Sequence, residues 1–307
     1  MGIFKRYYHG FLRRFIPKTF RFFEKCDIHI SRVECYDPIP DTRTLKDSLW
    51  EKHTEMVGVD INLKEQFELL SQFSSKYAEE YNRIPRTKTD IPYQFYYYYN
   101  GGFPPVDAEI LYCMIRHYKP SKIIEIGSGN TTYLSAQAIS ENKKREGLEC
   151  ELIAIEPYPN KVLQKGFPGL SRLIVKKVED VDLELFKSLK ENDILFIDST
   201  HVLRTGGDVQ YEYLEILPRL EKGVLVQIHD IFTPSEYPKI NVKERFWFWN
   251  EQYLLQAFLC FNDVFKVLWT SSYMHLNHPD KLENAFASYR EQKEKQWPAS
   301  VWLRRVK

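Results

Sequence analysis

Lys122-Ile123-Ile124-Glu125-Ile126-Gly127-Ser128-Gly129-Asn130 is the stretch on which the fold turns. A short run rich in β-branched residues breaks into a glycine pair and then into Asn130-Thr131-Thr132, polar residues of the kind that begin helices. Glycines at 127 and 129 let the backbone turn tightly and approach a ligand closely. A helix start offers unpaired N–H groups to whatever lies in front of it. The same alternation repeats downstream. Residues 122–126, 151–156, 172–176, 193–197, 224–229 and 265–269 read as strands, and residues 130–140, 182–189, 208–217 and 250–261 as helices. Nearly continuous apolar strands separated by helices predict a parallel sheet covered on both faces, an α/β fold of the doubly wound, Rossmann-like kind. Ligands of such sheets bind outside the carboxyl ends of the strands. The residues directly after each strand are therefore the candidate site.

Glu156 ends the second strand, where a carboxylate can accept hydrogen bonds from two ribose hydroxyls. Two cofactor classes use this layout. A dinucleotide requires a third glycine because its pyrophosphate rests on the helix start, and that position holds Thr132. Glu125, two places before the first glycine, would repel a pyrophosphate and instead suits the cationic amino-acid moiety of S-adenosylmethionine (SAM). The loop thus favours SAM over NAD. An NAD-dependent sugar-modifying enzyme and a non-catalytic binding module at a membrane-attached assembly are the alternatives.

On these residues the chain resembles the class I SAM-dependent methyltransferases. Glu125-Ile126-Gly127-Ser128-Gly129 looks like their first motif and Glu156 like their ribose-binding acid. Phe196-Ile197-Asp198-Ser199-Thr200-His201 and Val224–Asp230 resemble the segments after strands four and five in the branch that methylates small-molecule hydroxyls. Asn100-Gly101-Gly102-Phe103 and Leu111–His117 narrow the resemblance to the group known as methyltransferase 24. It covers residues 100 to 276 and implies a mostly parallel seven-stranded sheet with helices on both faces. It implies cofactor contacts at Glu125, Gly127, Ser128, Gly129, Asn130, Glu156 and Asp198, and it points to Glu179 near the adenine.

Methyl transfer from a sulfonium is an in-line displacement in which the protein chiefly aligns donor and acceptor. A hydroxyl acceptor also benefits from a base or a metal that takes its proton. Asp198 and His201 follow the fourth strand, and His229 and Asp230 follow the fifth. Either histidine can serve as the base near neutral pH, with Asp198 beside it. The resemblance to catechol-type O-methyltransferases implies a metal at Asp198, His229 and Asp230. An imidazole at 229 disfavours magnesium, which prefers oxygen, and leaves room for a softer divalent ion. Asp198-Ser199-Thr200-His201 lacks the Asn/Asp-Pro-Pro-Tyr/Phe clamp of amino-group methylases, so a hydroxyl is the expected acceptor. By analogy with relatives in polysaccharide and natural-product pathways, the expected acceptor is a sugar, a glycan or another small molecule.

Among 307 residues, 43 Lys and Arg nearly balance 42 Asp and Glu, and the net charge of +1 gives no reason to expect a nucleic-acid partner. Five cysteines without a C-x-x-C pair argue against a disulfide framework or structural zinc, and a reducing cytoplasm is the expected setting. Residues 1–30 form a basic, aromatic segment fit for an anionic membrane surface or for docking, including on a second subunit. Residues 31–99 read as a mostly helical extension, 100–276 as the methyltransferase domain and 277–307 as a charged tail. The runs Tyr96–Tyr99 and Phe246–Trp249 read as core or interface before they read as an acceptor wall. Asp208, beside Gly206-Gly207, reads as a helix cap.

Overall fold

The computed structural model describes residues 19–31, 33–100 and 102–307. Seven strands, β1 (Lys122–Ile126), β2 (Glu151–Ile155), β3 (Arg172–Ile174), β4 (Ile194–Ile197), β5 (Leu225–Ile228), β6 (Phe265–Thr270) and β7 (Val301–Arg305), make one sheet in the order β3-β2-β1-β4-β5-β7-β6. β1 to β5 run parallel, and β7 is antiparallel to both β5 and β6. The helices are α1 (Leu63–Tyr81), α2 (Asp107–Tyr118), α3 (Asn130–Glu146), α4 (Lys161–Lys165), α5 (Leu183–Lys187), α6 (Asp208–Tyr211), α7 (Lys239–Lys243), α8 (Glu251–Leu259), α9 (Ser271–Asn277), α10 (Pro279–Ala285) and α11 (Ala287–Gln292).

The strands are apolar on both sides because both sides are covered. Ile124, Ile126, Leu195, Ile197, Val226 and Ile228 join one core with Val209, Ile216 and Leu255, while Ile123, Ile194, Phe196 and Leu225 join a second with residues of α1, α2 and α3. Side chains alternate across a strand, so each face receives every second residue. The central strands also end in register. Ile126 lies opposite Ile155 and Ile197, and Ile197 opposite Ile228. The ladder runs one residue further: Gly127 N–H donates to Ile155 O (3.0 Å), Asp198 N–H to Ile126 O (2.9 Å) and His229 N–H to Ile197 O (2.9 Å). Gly127, Asp198 and His229 are thereby set side by side at one edge.

Two expected boundaries are corrected. The segment 277–307 is not a charged tail, since it carries α10, α11 and β7, and β7 sits inside the sheet between β5 and β6. Val301 and Leu303 enter one core and Trp302 the other, while the buried carboxylate of Asp107, the first residue of α2, accepts the N–H groups of Ala299 (2.7 Å) and Ser300 (3.1 Å). Residues 52–99 of the expected extension do not stand apart either. Leu69, Leu70, Phe73, Tyr77 and Tyr81 of α1, together with Phe95, Tyr97 and Tyr98, pack in the same core as α2 and α3. Those of α1 lie on one helical face and must be covered.

The chain divides into two compact units. The larger comprises residues 52–238 and 249–307 and holds the whole sheet. The smaller joins the residues up to 51 with 239–248; within it Lys239 Nζ lies 2.9 Å from Asp47 Oδ1, and the Lys239 and Lys243 ammonium groups approach the Trp50 ring. No helix among the described residues is long and apolar enough to cross a membrane. The basic aromatic segment lies outside the described residues up to position 18.

Candidate functional site

Two cavities, of about 280 and 350 Å³, open at the carboxyl edge of the central strands and share Gly127, Glu156 and Asp198. The first is lined by Glu156, Glu179, Ser199, Thr200 and Asp208, the second by Ser128, Gly129, Asn130, Thr131, His229 and Asp230. The predicted cofactor residues other than Glu125 thus meet around one continuous edge.

The loop between β1 and α3 is built by close contact. Gly127 has φ +77°, and a Cβ on it would fall 1.7 Å from the carbonyl oxygen of Asp198. Only glycine fits there. Around Gly129 a Cβ would meet nothing within 4 Å. Thr132, which replaces a third glycine, accepts the Gly129 N–H on its hydroxyl (3.0 Å). The Glu156 carboxylate is fixed by the N–H groups of Ser128 (3.2 Å) and Tyr158 (2.8 Å), which leaves further lone pairs for the cavity. Asn130 donates its amide to the Asn100 carbonyl, joining the loop to the segment before α2.

Glu125 does not line either cavity. It is fully buried, on the face of β1 covered by α3; one oxygen takes the Thr131 hydroxyl and the other has no partner. Burial pushes its carboxyl up to about 8. Its link to the cavity runs through Thr131, a correction to the expected direct contact with a ligand.

Asp198, His201 and Asp230 converge, each offering one ligand atom within 4.8 Å of the others. His201 Nε2 lies 3.4 Å from Asp198 Oδ1 and 3.5 Å from Asp230 Oδ2, and its Nδ1 lies 2.9 Å from Glu251 Oε2. His201 (φ +60°) and Asp230 (φ +53°) both adopt the left-handed backbone that residues with a Cβ avoid. Such strain costs about 1–3 kcal/mol per residue and gathers where a site demands an orientation. Burial alone lowers an imidazole, but hydrogen bonds to Asp198 and Glu251 and the charge of Asp230 outweigh it and hold His201 well above its usual range. Burial raises Asp198 too, and the charges of His229 and His201 more than offset this, so its carboxyl sits below the ordinary range.

His229 is not among these three, although its Nε2 lies 3.7 Å from Asp230 Oδ1. Its Nε2 lies 3.0 Å from the Gly102 carbonyl, and a carbonyl only accepts, so Nε2 carries a hydrogen and offers no lone pair. Its Nδ1 faces the Ser300 hydroxyl at 3.1 Å, and its ring packs on Phe103 at 4.8 Å. It ties the cavity wall at Gly102 to β7. His201 takes its place beside the two aspartates.

Other expected residues fall elsewhere. Asp208 is the first residue of α6, after its cap Gly207, and its carboxylate clamps the N–H (2.9 Å) and hydroxyl (2.7 Å) of Thr200. Tyr97 and Tyr98 are buried and Tyr99 is exposed, while Trp249 packs against the His201 ring at 4.8 Å. Two residues that sequence reading missed stand behind His201. Glu251 and Glu212 are both fully buried, and Glu212 occupies a π-turn (Glu212–Ile216), a helix irregularity frequent at functional sites. Nothing local marks Glu251, which is 50 residues from its partner His201.

A sequence family described as "Methyltransferase domain" matches residues 124–231. A protein of Archaeoglobus fulgidus described as uncharacterized is 36% identical over 166 residues, covering 52% of this chain and 73% of its own length. Among solved structures, a CmcI apo structure aligns over 67% of this chain and 72% of its own at 16% identity and a TM-score of 0.39. An O-methyltransferase from Bacillus cereus in complex with S-adenosylhomocysteine aligns over 79% and 91% at 14% identity and a TM-score of 0.36.

Proposed function

Since the chain belongs to the SAM-dependent methyltransferases, we propose that it moves a methyl group to a hydroxyl of a small neutral molecule, a sugar or glycan foremost, at Asp198, His201 and Asp230. The observation that carries this reading is the convergence of those three side chains, of which Asp198 and Asp230 line the cavity beside the glycine loop.

The residues present fit SAM. Gly127 keeps the turn open against Asp198, and the Glu156 carboxylate is aimed and held at the junction of the two cavities. Gly127, Ser128, Gly129 and Asn130 would hold the amino-acid half, and Glu156 and Glu179 the nucleoside. When bound, SAM supplies a methyl group already activated on a sulfonium. The protein's share is to align the acceptor and accommodate its proton. Among the described residues, the second cavity is lined by Glu156, Asp198 and Asp230 without a lysine or arginine, which disfavours phosphorylated or carboxylated acceptors and suits neutral ones.

Asp198, His201 and Asp230 also fit a divalent ion. One nitrogen with two carboxylates suits manganese, iron or zinc better than magnesium. An ion there would lower the pKa of a hydroxyl bound to it. His201 Nε2 lies between the same two aspartates, so an ion and a proton on that nitrogen would compete for one place. The basic segment at 1–30 would bring the enzyme to an anionic membrane surface, which liposome sedimentation with and without residues 1–25 tests.

A calorimetric titration with SAM is the first experiment. Binding is expected, and its absence sinks the enzyme reading; tight NAD binding in its place establishes the NAD-dependent sugar-modifying alternative. Transfer of labelled methyl to a panel of neutral glycans, with and without EDTA, then tests the acceptor and the ion separately.

A further inference from the structure

We propose that Glu251 is the positioning residue of this site: it takes the Nδ1 proton of His201 and so directs Nε2 between Asp198 and Asp230. The proposal rests on the reading above, in which those three residues meet the acceptor.

The start of α8 grips residue 201 at three points. The N–H groups of Asn250 and Glu251 donate to the His201 carbonyl at 3.0 and 3.2 Å, and Glu251 Oε2 reaches Nδ1 at 2.9 Å. Asn250 Oδ1 meanwhile accepts the N–H of Leu203 at 2.6 Å, so the turn after His201 is held as well. These contacts sustain the left-handed backbone at His201, which would otherwise relax and turn the ring away. Trp249 packs on the ring and limits its rotation.

A carboxylate is a costly choice for packing alone. Glu251 is fully buried, and its Oε1 has no hydrogen-bond partner. Glutamine or leucine would fill the space without burying an ionisable group. What a carboxylate adds is an acceptor that cannot double as a donor while ionised, which fixes the proton on Nδ1 and leaves Nε2 as the working nitrogen. The same logic orients histidine ligands in metal sites, where losing the outer partner costs roughly 10–100-fold in affinity.

The test uses the full chain labelled with 15N-histidine. In the wild type, the histidine signal absent from His201→Gln should show a protonated Nδ1, and addition of Zn²⁺ should shift Nε2 and leave the Nδ1 proton in place. Glu251→Gln, whose amide can turn either its oxygen or its NH2 to Nδ1, should keep this pattern only in part. Glu251→Leu should lose it and weaken Zn²⁺ binding by roughly 10–100-fold with SAM affinity unchanged. A wild-type His201 protonated on Nε2 alone overturns the proposal, and that needs no variant to fold. Loss of SAM binding in both Glu251 variants would mark a merely structural role and overturn it too. If wild-type protein binds neither SAM nor Zn²⁺, the function above fails, while the Nδ1 signal still decides the role of Glu251.

Discussion

Replacing each glycine of the first loop by alanine separates two residues that look alike in sequence. Gly127→Ala puts a carbon 1.7 Å from the Asp198 carbonyl oxygen and 2.6 Å from its carbonyl carbon. Carbon and oxygen in ordinary contact lie about 3.3 Å apart or more, so the Asp198 backbone must retreat by roughly 1.5 Å. That backbone is tied to β1 through its N–H to Ile126 O, and the retreat breaks the ladder between the two central strands. Overpacking of this kind costs about 1–3 kcal/mol. The positive φ adds about 1 kcal/mol for a residue with a Cβ. A loss of about 2–4 kcal/mol in unfolding free energy is expected from urea titration. Asp198 would also move beyond the roughly 0.5 Å tolerance of a working site, so SAM affinity should fall at least about 100-fold by calorimetry. Gly129→Ala meets open space and should cost the fold about 1 kcal/mol or less, with any larger effect confined to SAM binding. Equal destabilisation by the two substitutions, or a Gly127→Ala protein that binds SAM like the wild type, would refute the reasoning.

Glu125→Gln tests the buried carboxyl. Its folded value of about 8 exceeds the ordinary 4.5, so between them the folded chain holds a proton that the unfolded chain has released. The associated stability is fully present below about 4.5 and is lost as pH rises through about 8. Unfolding free energy should therefore fall more steeply with pH in the wild type than in the variant, and a constant difference would contradict the assignment. Deleting residues 299–307 removes β7 from between β5 and β6 and should abolish cooperative unfolding; a tail would be dispensable. His229→Ala should leave Zn²⁺ affinity unchanged while Asp230→Ala lowers it, and the reverse order in a metal titration would restore His229 as a ligand.

Much of the parallel half of this fold was legible because its signals are local. A parallel strand covered on both faces is a short apolar run, and residues 122–126, 151–155, 194–197 and 225–228 read that way at once. The glycine loop and Glu156 were legible for the same reason, since a tight turn and a residue at a strand end are properties of neighbours in the chain. β7 was not. Its five residues end in Arg304-Arg305 and follow a long charged stretch, and its place depends on Asp107 and on two strands that flank it only after folding.

The site divides along the same line. The sequence by itself determined that Asp198, His201, His229 and Asp230 lie at the carboxyl edge, because each follows a strand whose end that edge must be. It had no means to decide which way an imidazole turns. Only the tertiary structure turned His229 towards Gly102 and Ser300, and His201 towards Glu251 and the two aspartates. The physical reason is that ring orientation is set by hydrogen-bond partners, and apart from Asp198, three residues before His201, these partners lie between 29 and 127 residues away along the chain.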